Sequence, residues 1–213
     1  MKNNSLDVFP PGSIIGIMGG GQLGRMTALA AANLGYRCHI YTEETDSPAA
    51  QVSATTTVAS YKDHDALTQF AKSVDLITYE FENIPMSSIT LLNNIRSIRP
   101  SPSILEISQH RGKEKEFAVQ HGVNVAPYKI IKKISDLESA IKTIGTPSVL
   151  KTCRFGYDGK GQIVINEPEE IYSAWNQLSS DDLVLEQFVA FEKEISIVIA
   201  RDTNHKTKAY PAA

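Results

Sequence analysis

Residues 14–18 form an unbroken apolar run, IIGIM, after which the hydrophobic period lengthens. From Gln22 to Leu34 the apolar residues Leu23, Met26, Ala30 and Leu34 recur at helical spacing, predicting a strand followed by a helix. Gly35 stands where a left-handed residue would end that helix. Arg37–Tyr41 reads as a second strand, and Asp63–Ser73 as a helix with Leu67, Phe70 and Ala71 on one face. Val74–Tyr79 is a third strand, rich in β-branched residues. Strands alternating with helices predict βαβ units and a parallel sheet, an open α/β domain over residues 11–100.

The stiff segment Arg99–Ser103, RPSPS, marks the expected boundary. Beyond it, HRGKEKEFAVQHG predicts a helix ending at Gly122, although Gly112 inside it costs about 1 kcal/mol against Ala. Tyr128–Ile131 reads as a strand, Ser135–Ile144 as a helix capped by Ser135, and Ser148–Thr152 as a strand. A glycine-rich loop, FGYDGKG, leads into strand Gln162–Ile165. Glu167–Leu178 predicts a helix, and Leu183–Phe188 and Glu194–Ala200 two more strands. Residues 101–213 thus predict an α+β domain, whose last stretch, KTKAYPAA, has no closing helix. The second domain is therefore expected to be incomplete.

Composition adds limits. Of 213 residues, 42% are hydrophobic and 21% charged, as in ordinary soluble proteins. A net charge of -3 supplies no basic field for nucleic acid or an anionic membrane. No apolar run approaches the ~18 residues that span a bilayer, and the first dozen residues lack a signal-peptide core. Cys38 and Cys153 form neither a metal-type pair nor a disulfide framework, which suits a reducing cytosol. The histidines show no i, i+4 pair and no neighbouring acid–cysteine set, so a zinc site is not expected.

Four stretches carry candidate chemistry. Gly19-x-Gly21-x-x-Gly24, between strand and helix, lets backbone N–H groups approach an anion. With Glu43 and Glu44 about twenty residues on, it suits NAD, another phosphate-bearing ligand, or plain helix–strand packing. EFENIP follows a parallel strand at the sheet edge where such folds bind ligands, placing Glu80, Glu82 and Asn83 there. The same residues also suit a solvated turn capping a helix after Pro85. In SVLKTCRFGYDGKGQIVI, Lys151, Arg154 and Lys160 surround a loop with Gly156, Gly159 and Gly161, able to close over phosphates or to serve as a hairpin turn. In LVLEQFVAFEKEISIVIA, backbone groups near Phe188 and Val189 could read adenine and Glu194 could accept from ribose hydroxyls, although strand alternation explains Glu194 equally.

Together GGGQLGRM, EFENIP, RPSPSILEISQHRGKEK, VLKTCRFGYDGKGQ and LEQFVAFEKEISI resemble, in order, the 5-(carboxyamino)imidazole ribonucleotide synthase family of the ATP-grasp superfamily. The resemblance covers nearly the whole chain and implies a Rossmann-like pre-ATP-grasp domain followed by a partial ATP-grasp domain. It implies a carbon–nitrogen ligase of purine biosynthesis, using ATP, Mg²⁺ and bicarbonate to carboxylate 5-aminoimidazole ribonucleotide through carboxyphosphate. The alternatives are another ATP-grasp ligase such as a glycinamide ribonucleotide enzyme, an NAD-dependent oxidoreductase, and a non-catalytic nucleotide-binding fragment. Cytoplasmic location and a homodimer are implied with it. By position, Arg111, Lys151 and the Gly156–Gln162 loop resemble the contacts to ATP phosphates. Glu186, Gln187, Phe188 and Val189 resemble the adenine-reading hinge, and Glu194 the ribose acceptor. Tyr157, Asp158 and Lys160 match the motif facing substrate and carboxyl donor, while Gly21, Gln22, Leu23, Glu80 and Asn83 fall on the aminoimidazole ribonucleotide side. Cys153 departs from the family, which often has arginine there, removing a phosphate contact. The family's magnesium-binding carboxylates are expected beyond Ala213, so this chain alone is expected to turn over little.

Overall fold

The computed structural model describes residues 8–156 and 160–213. Its first sheet is wholly parallel and runs β3-β2-β1-β4, built from β1 (Ile14–Met18), β2 (Arg37–Thr42), β3 (Thr55–Val58) and β4 (Leu76–Tyr79). Helix α1 (Gln22–Asn33) covers one face, with Ala28 and Ala31 against Ile17 and Ile40. On the other face α2 (His64–Ser73), α3 (Met86–Ile95) and α4 (Pro102–Ser108) pack a core of Tyr41, Leu67, Phe70, Ile77, Leu92 and Leu105. The expected Rossmann-like sheet is present, and its core extends past Pro100 into α4.

Local chemistry sets these ends. Asp63 caps α2 by accepting from Asp65 and Ala66 N–H, an arrangement worth about 1 kcal/mol. At the end of α1, Gly35 (φ +82°) donates to Ala32 O and Tyr36 to Ala31 O, closing a Schellman motif. The apolar stripe expected to bury α1, however, faces outward. Leu23, Met26 and Leu34 are 61%, 57% and 69% exposed, while Gly24, Ala28 and Ala31 meet the sheet. Small residues let this helix lie close to the strands, so spacing identified a stripe but the wrong one.

The second sheet is antiparallel, ordered β5-β8-β6-β7, from β5 (Tyr128–Ile131), β6 (Ser148–Thr152), β7 (Gln162–Ile165) and β8 (Leu183–Gln187). Helices α6 (Ile134–Ile144) and α7 (Ile171–Leu178) cover one face, burying Leu137, Ile141 and Ile171 on Leu150, Ile165 and Leu185. Ser135 does not cap α6. The helix starts earlier, and the Asp136 carboxylate reaches back to Lys132 and Lys133 N–H. Helix α5 (Arg111–Gln120) precedes this sheet, and Gly122 adopts φ +74° just beyond it.

Two elements escaped the sequence pattern. β3 is a polar edge strand, TTTV, and α4 begins at Pro102 inside the segment read as a boundary, where a proline at the first helical turn loses no hydrogen bond. Two others are shorter than expected. Within Glu194–Ala200 only the end belongs to a regular strand, β9 (Ile199–Arg201), paired with β10 (Thr207–Ala209). The Asp202 carboxylate fixes that turn through Asn204 and Lys206 N–H, whereas upstream pairing is confined to Ser196 with Ala213 and Tyr210 with Val198. Glu167–Leu178 divides into a 3₁₀ turn at Pro168–Glu170 and α7.

Candidate functional site

Parallel pairing of β1 with β4 aligns Met18 with Tyr79, so Glu80 leaves the sheet beside the first glycine loop. Its carboxylate turns into that loop. Oε1 accepts from Gly21 N–H at 2.6 Å and Oε2 from Gly24 N–H at 2.7 Å. Both bonds are charge-assisted and lie at the positive end of α1, where a phosphate would otherwise sit. A Cβ on Gly21 would fall 2.7 Å from Oε1, and Gly19 combines φ +110° with a virtual Cβ 2.4 Å from Glu80 Cγ. The glycines are needed for the approach of this chain's own carboxylate.

Beside the loop lies a ≈ 340 Å³ pocket lined by Gly20, Gly21, Glu43, Tyr61, Glu80 and Asn83, among others. Its walls are acidic, and burial followed by the charges of Glu43 and Glu80 pushes the Tyr61 phenol upward. Such a pocket repels a pyrophosphate and suits hydroxyl and N–H donors. The dinucleotide option therefore fails on the occupied helix terminus. Gln22 and Leu23 stand exposed on the first turn of α1, outside the lining of this pocket.

The second glycine loop has the opposite electrostatics. Arg111 Nε donates to Thr152 O (3.1 Å) and Nη2 to Gly156 O (2.9 Å), clamping the loop entrance onto α5. Gly161, at φ +69°, accepts from Thr152 N–H and has its virtual Cβ 2.6 Å from Thr152 Oγ1. Lys151 on β6 and Glu186 on β8 project from one sheet face, and Lys151 Nζ meets Glu186 Oε2 at 3.0 Å. Lys115 Nζ reaches the same oxygen at 3.2 Å. Arg111, Glu114, Lys115, Lys151 and Glu186 line one ≈ 320 Å³ pocket. Burial, working against Arg111 and Lys115, raises the Glu114 carboxyl. With Arg111, Lys115 and Lys151 set against Glu114 and Glu186, the lining carries more cations than carboxylates. A neighbouring ≈ 310 Å³ pocket adds Arg154 and Gln109 at the junction with EFENIP, where Gln109 Nε2 donates to Glu82 O and Ile84 O.

The structure thus brings together Arg111, Lys151, Gly156, Gly161 and Glu186, with Gln162 paired opposite Lys151 and Lys160 exposed at the loop's return. Gln187 ends β8, and Phe188 N–H donates to Pro147 O. Phe188 and Val189 are exposed beyond the strand, and Glu194 is exposed on the segment leading to β9. Tyr157, Asp158 and Gly159 lie outside the described residues. Lys115 went unrecognised in the sequence, although its position four residues after Arg111 puts both on one face of α5.

A second grouping was invisible in the sequence because its members are far apart. His110, Cys153 and Asp182 bring ligand-type atoms within 4.8 Å of one another. His110 Nδ1 accepts from Gly112 and Lys113 N–H, capping α5, so its proton sits on Nε2, which faces Asp182 at 3.1 Å. A metal-binding histidine needs a bare nitrogen toward the ion and a proton on the other, the reverse of this arrangement. Lys132 Nζ already holds Asp182 at 2.6 Å, and burial followed by the Asp182 charge pushes the Cys153 thiol up to about 12. Nor does this set, with its single carboxylate, suit Mg²⁺, which prefers hard oxygen ligands. The cluster is a clip joining α5, β6 and β8.

A sheet order of 3-2-1-4 feeding an antiparallel sheet with a clamped glycine loop defines an ATP-grasp protein. Two family models agree: residues 13–109 match the ribonucleotide synthetase preATP-grasp domain, and residues 116–213 the ATP-grasp domain. Within that class the chain is similar to N5-carboxyaminoimidazole ribonucleotide synthases. It is 42% identical over 205 residues to the synthase of Brucella melitensis, covering 95% of this chain and 57% of that protein. Its fold matches the Staphylococcus aureus synthetase complexed with ADP at TM-score 0.93 and 34% identity, covering 98% of this chain and 57% of that one. It also matches the Aspergillus clavatus synthase in complex with ADP and 5-aminoimidazole ribonucleotide at TM-score 0.85 and 26% identity, over 95% and 53% of the two chains. The chain thus spans about half the length of these relatives. Among the described residues, no helix is long and apolar enough to cross a membrane.

Proposed function

We propose that this chain binds ATP against β6 and β8 and contributes to ATP-dependent carboxylation of 5-aminoimidazole ribonucleotide. The observation that carries this reading is the convergence of Arg111, Lys115 and Lys151 on one pocket, with Arg111 also holding the entrance of the glycine loop at Gly156. Arg111 would hold the phosphates while keeping the loop entrance in place, and Lys151 would meet them as a point charge. Glu186, Gln187, Phe188 and Val189 would read adenine, with Glu194 on the ribose. In the first step a bicarbonate oxygen attacks the γ-phosphorus, the bond to the β–γ bridging oxygen breaks, and ADP leaves. The amine of the ribonucleotide then attacks the carboxyl carbon of carboxyphosphate. A C–N bond forms, phosphate departs with the C–O electron pair, and the amine loses a proton.

Tyr157, Asp158 and Lys160 are assigned to that second step, Asp158 accepting from the amine and Lys160 stabilising the anionic donor. The acidic pocket at Gly21, Glu80 and Asn83, with Gln22 and Leu23 at its side, would take the hydroxyl- and amine-bearing part of the ribonucleotide. Glu80 would act there mainly by fixing the loop. The resemblance also implies Mg²⁺; no donor set found among the described residues suits it, and the steps above use this chain's residues alone. The reading carries a cytoplasmic setting and a homodimer, for which the outward stripe Leu23, Met26 and Leu34 offers an apolar face. We place the domain boundary between α4 and α5. Calorimetric titration with ADP and with NADH tests the assignment: ADP binding that needs Arg111 is expected, and NADH binding at the first loop would overturn it.

A further inference from the structure

We infer that Lys115 is a positioning residue that keeps the Lys151 ammonium available to nucleotide phosphates by sharing the charge of Glu186. The inference rests on the ATP reading above. Lys115 Nζ and Lys151 Nζ meet the same carboxylate oxygen, Glu186 Oε2, at 3.2 and 3.0 Å. All three side chains are largely withdrawn from solvent, at 16%, 21% and 11% exposure for Lys115, Lys151 and Glu186. In such surroundings a carboxylate must be compensated, and bulk screening is weak.

One carboxylate cannot neutralise two ammoniums, so the trio carries one excess positive charge. The geometry of the lysines decides where that charge is displayed. Lys115 comes from α5, fixed at Arg111, whose N–H donates to Cys153 O and whose guanidinium holds the loop. The Lys115 ammonium also lies over the Tyr128 ring, 5.6 Å from its centroid, which steadies it beside Glu186. Lys151 stands next to Thr152, the last residue of β6 before the glycine loop. With Lys115 in place, the excess charge can be presented by Lys151 toward the loop. Without it, Glu186 has Lys151 as its only ammonium partner among the contacts described, and a phosphate must compete with a carboxylate for that ammonium.

The test is ADP and adenosine binding by the full 213-residue chain and its variants, followed by calorimetry. Lys115→Met should weaken ADP roughly tenfold and leave adenosine within twofold, the loss expected for one charge-assisted contact. Measured against Glu186→Gln alone, which carries any loss at the adenine hinge, adding Lys115→Met should lower ADP affinity less than about twofold, because the competing carboxylate is gone. Lys115→Arg should behave as the parent chain. Lys151→Met loses ADP affinity whether or not Lys115 is present. Loss with Lys151→Met but none with Lys115→Met, equal losses of ADP and adenosine, or a full tenfold loss from Lys115→Met in the Glu186→Gln background would overturn the role of Lys115 alone. Equal ADP affinity in the parent and Lys151→Met, or no ADP binding by either, would overturn the nucleotide site and this inference with it.

Discussion

The two glycine loops of this chain look alike as strings and differ in what they hold. The first, Gly19–Gly24, is filled by an internal anion, since Glu80 occupies both amides at the start of α1. The second, entered at Gly156 and left at Gly161, is clamped at its entrance by an internal cation, Arg111, which also lines a pocket with Lys115 and Lys151. Glycine permits close backbone approach in both cases. The partner's charge decides the ligand: a loop already holding a carboxylate rejects phosphate, and a loop whose entrance is held by a guanidinium suits it.

That contrast can be broken in order of effect. Gly19→Ala should cost most, about 2–4 kcal/mol of stability in urea denaturation. The new Cβ needs a left-handed backbone and meets Glu80 2.4 Å away. A change below about 0.5 kcal/mol would mean that Glu80 does not fix the loop. Glu80→Gln should cost about 1–2 kcal/mol, because an amide has one acceptor oxygen for two N–H groups. Its ADP affinity should stay within twofold; a tenfold change would show that the two loops are not independent.

The smallest effect concerns the clip beneath the second loop. Burial raises the Asp182 carboxyl, but the Lys132 hydrogen bond, the His110 ring and the Cys153 thiol outweigh it, leaving it below the ordinary 3.8. A carboxyl lowered on folding stabilises the chain above its unfolded pKa, and that contribution is lost as pH falls through the folded value. Asp182→Asn should therefore flatten the stability profile below about pH 4. The difference should be a few tenths to about 1 kcal/mol, since the group is substantially solvated. An unchanged acid limb would remove Asp182 from the clip's energetics.

Much of this was readable from pattern. β1, β5, β6 and β7 fall where apolar runs and β-branched residues put them, because burial on a sheet face leaves a short and unambiguous signature. Lys151 and the glycine loop after it were recognisable for the same reason: strand, cation and glycines are contiguous. The stripe of α1 was misassigned because spacing cannot tell a helix that buries leucines from one that approaches a sheet through Gly24, Ala28 and Ala31. β3 was missed because an edge strand of threonines has little apolar signal.

The sequence by itself determined the alternation of elements, the two loops and the resemblance that their motifs carry, since each is local or depends on order along the chain. Only the tertiary structure decided which charge each loop meets. Glu80 reaches Gly21 across 59 positions through parallel register, and Lys151 reaches Glu186 across 35 through antiparallel register. Asp182 reaches His110 across 72. Electrostatics depends on distance in space, and no local pattern records which distant residue the sheet brings alongside.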